Sequence, residues 1–250
     1  MIANERQQKI LDYLAARKNA SVSELLELLD TSESTLRRDL MVLERQGRCE
    51  RVHGGVSLLN RDYSEDSTLE HRRHEFSKEK KEIGKRAAQM VSDGDLIYVD
   101  AGTTTEALLE QLAGKKVHVV TNSINHAALA SRLGLEVTLV GGSFKTITDA
   151  IVGEEALSFL EKYSFDCGFF GANAIGADGS LLTPDLREAA VKNKALRSCK
   201  TVYLLADSSK LSKSSKIRFG KLDQVILVSD EDPDIDNALV LSDLQERSSD

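Results

Sequence analysis

The sequence lacks any long apolar run, and this limits the classes of protein to which it can belong. No segment approaches the ~18 consecutive apolar residues that a membrane-spanning helix needs. The first ten residues, MIANERQQKI, are charged at once and contain no apolar signal-peptide core. We therefore expect a soluble protein of the cytoplasm that does not engage membranes.

Cysteine is scarce, and the usual metal-binding and nucleotide-binding spacings are missing. Cys49, Cys167 and Cys199 are an odd number without a CxxC pair, so we expect reduced thiols rather than disulfides or a zinc site. The five histidines show neither HExxH nor HxH spacing. GxGxxG and the P-loop motif are also absent, so neither a dinucleotide nor ATP is predicted. We expect no metal ion and no cofactor.

The chain also lacks a positive net charge, since 33 basic residues face 40 acidic ones and give −7. Nucleic-acid binding needs Lys and Arg against phosphate, so the total argues weakly against it. The distribution is uneven, however, because residues 1–60 contain nine basic and nine acidic side chains. The whole acidic excess therefore lies beyond residue 60, in a chain long enough for one or two domains.

Three short amphipathic helices are predicted in the first sixty residues. The second begins at Ser21, which forms with Glu24 the S-x-x-E capping box. The third begins near Ser32 and is expected to stop at Gly47. Helix, tight turn and helix in this order are typical of a helix-turn-helix. The three apolar stripes are Ile10, Leu11 and Leu14, then Val22, Leu25, Leu26 and Leu29, then Leu36, Leu40 and Leu43.

The third helix presents hydroxyl groups and two adjacent arginines away from its leucines. Such hydroxyls hold DNA phosphate, and arginine binds guanine bidentately or grips phosphate. RCERVHGGVSLL, residues 48–59, predicts a two-stranded wing that meets the minor groove or the backbone. A merely solvated arginine face is the alternative, which the combination of capped helix, leucine stripe and glycine wing disfavours. The predicted DNA contacts are Ser32, Ser34, Thr35, Arg37, Arg38, Arg51 and His53.

Residues 60–80, NRDYSEDSTLEHRRHEFSKEK, form a charged segment almost without apolar residues. We interpret it as a solvated linker or an exposed connecting helix. The expected organisation is a winged helix-turn-helix domain over residues 1–59, a linker over 60–76 and a larger domain over 77–250.

In the larger domain, apolar runs alternate with amphipathic helices. This alternation indicates an α/β fold with a mostly parallel, Rossmann-like sheet covered on both faces. The predicted strands are DLIYVD (95–100), VHVVT (117–121), EVTLV (136–140), DCGFFG (166–171), TVYLLA (201–206) and QVILVS (224–229).

Short polar segments follow these strands, and ligands of open α/β sheets bind at the carboxyl ends of strands. Gly102 permits a tight turn, and the threonines after it stand at a helix N-terminus, which attracts an anion. Lys210 would add positive charge, while Asp100, Asn122 and Asn173 suit sugar hydroxyls. Such residues also occur in ligand-free turns, but five polar strand ends in one sheet favour a phosphorylated sugar or polyol.

Motifs along nearly the whole chain resemble the DeoR-type bacterial transcription regulators. RRDL and VHGG are the most specific pieces in the DNA-binding part, and DAGTTT, LTPD and ADSSK are similar to the family's sensor domain. The resemblance implies a winged helix-turn-helix with the helix from about Ser32 in the groove. It also implies a phosphorylated sugar intermediate as inducer.

AGTTT and ADSSK are also similar to loops of the ribose-5-phosphate isomerase fold. Where those enzymes carry a GADE-type segment, this chain has GANA at 171–174, and their glutamate base falls opposite Lys192. The resemblance therefore implies binding without catalysis, because proton abstraction needs a positioned base. Glu188, Asp178 or Asp185 would supply one if the alignment is shifted.

We interpret the protein as a DNA-binding repressor of a sugar-utilisation operon. TDAIVG, residues 148–153, is similar to the fructose-operon branch of the family, which implies fructose 1-phosphate or a related fructose phosphate. Two half-sites need a symmetric pair, so we expect a homodimer or homotetramer. The alternatives are an isomerase-like or hydrolytic enzyme with a DNA-binding head, and a purely structural module. The predicted effector-binding residues are Asp100, Gly102, Thr103, Thr104, Thr105, Asn122, Asn173, Lys192 and Lys210.

Overall fold

The computed structural model describes residues 3–17, 19–45, 49–52, 55–58, 69–211, 214–230 and 239–240. The chain divides into two units, residues 1–62 and residues 63–250. Within the described ranges, no helix is both long and apolar enough to cross a bilayer.

The smaller unit combines three helices with a three-stranded antiparallel sheet in which β3 lies between β1 and β2. This arrangement confirms the predicted helix-turn-helix. The expected stop at Gly47 lies outside the described residues. The elements are α1 (Ala3–Arg17), β1 (Asn19–Ser21), α2 (Val22–Leu29), α3 (Glu33–Arg45), β2 (Cys49–Val52) and β3 (Gly55–Leu58).

Local sequence signals explain where these helices begin and pack. The Ser21 hydroxyl accepts a hydrogen bond from the Glu24 amide at 3.2 Å, and the Glu24 carboxylate accepts one from the Ser21 amide at 2.7 Å. Helix α2 ends at Asp30, whose φ of +44° makes a tight turn toward α3. The leucines of the predicted stripes meet in one buried cluster that includes Leu25 and Leu36.

The larger unit is an α/β domain, as predicted. Its helices are α4 (Leu69–His74), α5 (Ser77–Ala88), α6 (Thr103–Leu109), α7 (Ile124–Arg132), α8 (Glu154–Leu160) and α9 (Leu186–Arg197). Its strands are β4 (Leu96–Val99), β5 (His118–Thr121), β6 (Glu136–Leu139), β7 (Ser143–Lys145), β8 (Ala150–Val152), β9 (Phe165–Gly171), β10 (Ala174–Ile175), β11 (Ser180–Thr183), β12 (Cys199–Leu205), β13 (Ile217–Lys221), β14 (Ile226–Val228) and β15 (Leu239–Val240).

The main sheet is wholly parallel in the order β15-β14-β12-β9-β4-β5-β6. From β4 the chain proceeds to β5 and β6 on one side, and then returns to β9 on the other. The strand order therefore reverses between β4 and β9, and a crevice opens at the carboxyl ends of strands at such a point.

Both faces of the sheet are covered, so its inner strands are largely apolar. Tyr98 packs into the hydrophobic cluster on one face, whereas Ile97 and Val99 pack into the cluster on the other. On the latter face, α5 and α6 approach each other closely at Gly84, where an added Cβ would lie 2.6 Å from the Ala107 carbonyl oxygen. The backbones of these two helices are therefore in direct contact.

Several elements were not predicted from the sequence. The hairpin β7–β8, the antiparallel sheet β10-β11-β13 and strand β15 are short, and their apolar signal is weak. Residues 69–74, in the segment interpreted as a linker or a connecting helix, form α4. The prediction of a solvated face over residues 60–80 is wrong for Lys80, which is only 5% exposed because backbone carbonyls receive its ammonium group.

Candidate functional site

The N-terminal half of α3 carries the polar surface that the sequence predicts for DNA contact. Ser32, Ser34, Arg37 and Arg38 are exposed, and Thr35 is half-buried. The Ser32 hydroxyl accepts a hydrogen bond from the Thr35 amide at 3.3 Å, which satisfies one of the unpaired donors at the helix start.

The two adjacent arginines differ in their surroundings. Arg37 forms an ion pair with Glu33, one turn earlier, at 2.5 Å. Arg38 makes no ion pair or hydrogen bond with the residues that the structure describes. The orientation of α3 is fixed from its buried side, where the Asp39 carboxylate accepts hydrogen bonds from Arg6 at 2.8 Å and from Gln7 at 3.2 Å.

The wing residues are described only in part. Arg51 lies in β2 opposite Val56 of β3, so its backbone belongs to the three-stranded sheet. The Arg51 side chain and the whole of His53 lie outside the described residues, and their DNA contacts stay predictions.

A cleft of about 640 Å³, counting the space open to solvent, lies at the carboxyl ends of β4 and β9, where the strand order reverses. Eight of the nine predicted effector residues line it; Thr105 does not. The lining residues are Arg72, Lys80, Asp100, Ala101, Gly102, Thr103, Thr104, Asn122, Thr148, Ala150, Gly171, Ala172, Asn173, Glu188, Lys192 and Lys210.

An ion pair joins two lining residues of the cleft, Asp100, at the end of β4, and Lys192, on α9. The Lys192 ammonium group also donates a hydrogen bond to the Gly171 carbonyl at 3.0 Å, and the Gly171 amide donates one to Asp100 at 3.3 Å. Both charged side chains are buried. Burial raises the pKa of the Asp100 carboxyl, and the contact with Lys192 opposes that rise.

The loop from Asp100 to Thr105 is held by internal hydrogen bonds. Thr103 and Thr104 line the cleft, whereas the Thr105 hydroxyl, which has one proton to donate, lies 2.7 Å from the Asp100 carbonyl oxygen and 2.9 Å from the Gly102 carbonyl oxygen. The structure therefore gives Thr105 a role in shaping the loop and does not bring it to the cleft surface.

His126 supports the same loop from α7. Burial lowers the pKa of His126 to about 4, so its ring is neutral at pH 7. Its Nε2 lies 3.0 Å from the Gly102 carbonyl, which can only accept, so Nε2 carries the ring proton. Sequence reasoning did not assign His126 a role, because its partner is a backbone atom 24 residues away.

The two predicted asparagines differ in how much of their side chain is already engaged. The Asn122 oxygen accepts from the Ala101 amide at 2.9 Å, and its nitrogen donates to the Ile151 carbonyl at 3.3 Å. Asn173 accepts one hydrogen bond, from the Thr183 hydroxyl at 3.3 Å. Asn122 thus mainly joins neighbouring strand ends, while the amide donors of Asn173 have no partner among the described residues and are available to a ligand.

Arg72 and Lys80 belong to the cleft although the sequence analysis did not include them. With Lys210 they form a cluster of three basic side chains on its lining. Burial, together with the nearby charge of Lys210, lowers the pKa of Lys80 to about 8, while Asp207 and Glu75 act in the opposite direction. The sequence did not indicate Arg72 and Lys80, because their neighbours are charged and the whole segment has the composition of a solvated surface.

Glu188, on α9, supplies a second carboxylate to the cleft. It accepts hydrogen bonds from the Thr148 hydroxyl at 2.5 Å and from Lys145 at 3.1 Å. Lys145 also lies 3.1 Å from Asp185. This network ties the β7–β8 hairpin to the start of α9, and it holds Glu188 in place through an ion pair.

Comparisons with known proteins agree with this two-part organisation. Residues 6–62 match the DeoR-like helix-turn-helix domain, and residues 75–231 match the DeoR C-terminal sensor domain. The chain is 37% identical over 232 residues to the HTH-type transcriptional regulator FruR of Bacillus subtilis, covering 92% of each chain. It is 34% identical to the glycerol-3-phosphate regulon repressor of Haemophilus influenzae, covering 88% of this chain and 86% of that one.

Among solved structures, ribose 5-phosphate isomerase A of Methanocaldococcus jannaschii matches 54% of each chain at 19% identity with a TM-score of 0.41. The relatives with similar sequences are named regulators and repressors. They confirm the expectation of a transcription regulator rather than an enzyme.

Proposed function

The chain belongs to the DeoR family of transcriptional regulators, as its motifs predicted, and from this premise we propose a mechanism of sugar-controlled repression. In this proposal the protein binds operator DNA through α3 and represses a sugar-utilisation operon. A phosphorylated sugar in the cleft of the larger unit then weakens DNA binding. Because it acts on chromosomal DNA, we place the protein in the cytoplasm.

The proposed DNA contacts follow from the exposed surface of α3. Arg38, which has no ionic partner in the described part of the chain, is available for a base edge or a phosphate. Ser34 and Thr35 lie one turn earlier and would fix register through phosphate. Two such helices read two half-sites, so the functional unit is proposed to be a homodimer or homotetramer.

The charge of the cleft is the observation that carries the effector proposal. Its lining contains four basic side chains and two acidic ones, in a chain whose net charge is −7. The two carboxylates, Asp100 and Glu188, are each paired with a lysine. The lining therefore has a formal net charge of +2, which suits a phosphate ester, and the carboxylates, Asn173 and the threonines suit the hydroxyls of a sugar.

Fructose 1-phosphate is the effector that we favour. The support comes from residues 148–153, which resemble the fructose-operon branch, and Thr148 from this segment lines the cleft beside Glu188. The relative named for a glycerol-3-phosphate regulon makes a smaller phosphate ester the first competitor.

A paired binding assay tests this function. Purified protein would be mixed with fructose 1-phosphate, fructose 6-phosphate, glycerol 3-phosphate or unphosphorylated fructose, and Tm would be measured alongside binding to an operator fragment obtained by in vitro selection. One phosphorylated sugar should raise Tm, since a ligand at about 100 times its Kd stabilises by about 2.7 kcal/mol, and should weaken DNA binding. Unphosphorylated fructose should do neither. The proposal is wrong if no phosphorylated sugar changes either quantity.

A further inference from the structure

Two polar side chains with opposite hydrogen-bonding character lie close together on the cleft lining. The buried Thr183 hydroxyl lies 3.3 Å from the side-chain oxygen of Asn173 and 3.4 Å from Oε2 of Glu188. Asn173 and Glu188 therefore approach each other around one hydroxyl group, and both line the cleft. Asn173 follows strand β9, whereas Glu188 belongs to α9, so the sheet and a covering helix each supply one member of the pair.

Glu188 can only accept hydrogen bonds from a ligand. Its Oε1 already accepts from the Thr148 hydroxyl and from the Lys145 ammonium group. Among the described residues, its Oε2 has only the long contact with Thr183, so this oxygen keeps accepting capacity. An ionised carboxylate has no proton to donate, so Glu188 suits a ligand group that brings a proton of its own.

Asn173 complements this carboxylate with donors. Its side-chain oxygen receives the Thr183 hydroxyl, and its amide protons have no partner in the described part of the chain. A hydroxyl of a ligand both donates and accepts, so it can satisfy Glu188 and Asn173 together. A carboxylate or a phosphate only accepts, so Asn173 would bind it and Glu188 would repel it.

The loop that holds Glu188 in place has its own anchor. Asp149 has a φ of +56°, and its carboxylate accepts hydrogen bonds from the Ser123 hydroxyl at 2.5 Å and from the Asn125 amide at 2.8 Å. These bonds attach the turn of the β7–β8 hairpin to the start of α7, and they fix the neighbouring Thr148 against Glu188. Glu188 therefore cannot turn away from an anion without losing its bond to Thr148.

We propose that Glu188 and Asn173 form a hydroxyl-selective subsite, which restricts the effector to phosphate monoesters of neutral polyols. The subsite binds a hydroxyl and rejects a second anionic group, whether this is a carboxylate or a second phosphate. The inference rests on the proposed sugar-phosphate function and narrows its ligand class. Specificity then depends on an unfavourable contact with the wrong ligand as well as on favourable contacts with the right one.

Matched pairs of ligands test the proposal on the full chain. Fructose 1-phosphate is compared with fructose 1,6-bisphosphate, and glycerol 3-phosphate is compared with 3-phosphoglycerate, in which a carboxylate replaces the terminal CH₂OH group. In each pair whose neutral-polyol monoester binds, the ligand with the second anionic group should bind at least about tenfold more weakly in titration calorimetry at pH 7. Equal or tighter binding of that ligand would overturn the proposal.

Matched variants assign the selectivity to these residues. Glu188→Gln keeps the shape of the side chain and adds an amide donor, while Lys145 retains Asp185 as an ionic partner. It should lower the ratio of the two Kd values about tenfold, mainly through tighter binding of the ligand with the second anionic group. Asn173→Asp replaces the amide donors by a second carboxylate and should raise the same ratio. Glu154→Gln, which removes an exposed carboxylate on α8, outside the cleft, should behave as wild type.

The possible failures are distinguishable. If a monoester binds but Glu188→Gln leaves the ratio of Kd values unchanged, Glu188 is not the selective group, so the inference is wrong and the sensor function stands. If Glu188→Gln does not fold by circular dichroism, Asn173→Asp decides: a larger ratio supports the inference and an unchanged ratio overturns it. If no phosphorylated sugar binds the wild-type protein, both the inference and the proposed function are overturned.

Discussion

Two groups of charges in the same cleft are built differently. Asp100 and Lys192 are both buried and paired with each other. Arg72, Lys80 and Lys210 instead form a cluster of cations, and burial, together with the charges of Lys210 and Arg72, lowers the pKa of Lys80 against the effect of Asp207 and Glu75. A buried ion pair holds the strand ends together, whereas a cluster of cations attracts an anion. The difference separates a pair that also maintains the fold from a cluster whose proposed role is to bind the phosphate of the ligand.

The largest effect is expected where the neutral pair is broken. Lys192→Met would leave the Asp100 carboxylate buried without its counter-ion, so the free energy of unfolding should fall by about 3–5 kcal/mol. Chemical denaturation at pH 7 measures this change.

Lys194→Met is the matched control on the same helix. Lys194 pairs with Glu161 at the surface, so its loss should cost at most about 1 kcal/mol. Combining Lys192→Met with Asp100→Asn should recover part of the lost stability. Equal destabilisation by the two lysine variants would contradict the proposed role of the buried Asp100–Lys192 pair in stability.

A smaller effect, on binding, is expected from the cationic cluster. Lys210→Met should lower the affinity for every phosphorylated sugar by up to about 100-fold, because it removes a charged hydrogen bond to phosphate. Asn173→Ala should weaken binding about tenfold or less and should change the ranking of the sugars, because Asn173 is proposed to contact hydroxyls. Titration calorimetry with each ester measures both. An altered ranking in Lys210→Met would place the phosphate elsewhere.

The next effect concerns pH. The pKa of Lys80 is about 8 without ligand, and a bound anion favours its protonated form and raises that value. Below pH 8 the proton is already present, so affinity should be constant; above pH 8 binding must take up a proton, and affinity should fall by at most about tenfold per pH unit. Calorimetry between pH 7 and 9.5, repeated in buffers with different ionisation enthalpies, would detect that proton. Constant affinity across this range would show that Lys80 does not bind the ester.

The smallest effect compares the two arginines of α3. Arg38→Ala should weaken operator binding and lower its salt dependence. Arg37→Ala should weaken operator binding by a factor about two- to fivefold smaller, because Arg37 must break its ion pair with Glu33 before it binds DNA. Fluorescence anisotropy at several salt concentrations measures both. In a Glu33→Gln background the difference should vanish. A persistent difference would assign it to position on the helix rather than to the ion pair.

The smaller unit was largely predictable from the sequence because its signals are local. The capping box at Ser21 and the leucine stripes depend on residues three or four positions apart. The strand ends of the larger unit were predictable for a different reason. Parallel strands bring their carboxyl ends to one edge, so Asp100 and Asn173 meet although they are far apart in the chain.

The unpredicted part of the cleft comes from elements outside the sheet. Arg72 and Lys80 lie in a charged segment that resembles a solvated surface, and only the packing of α4 on α5 and α6 turns them inward. For Thr105 the error has the opposite sense, because the sequence predicted a cleft residue that the structure does not place there. Thr105 belongs to the motif, but its hydroxyl is hydrogen-bonded within the loop. The alternation of apolar and polar residues predicts neither the inward packing of charged side chains nor the hydrogen bonds within a loop.

The backbone contact at Gly84 limits how this sensor can change its specificity. This contact fixes the spacing of helices α5 and α6, and therefore the distance between Lys80 on α5 and Thr103 on α6. The width of the cleft between these two residues then cannot increase to admit a larger ligand. Divergence toward new sugars would then concentrate in the loops after β7 and β9, around Thr148 and Asn173. Engineers who want a biosensor for another metabolite would randomise those loops and leave the glycine alone.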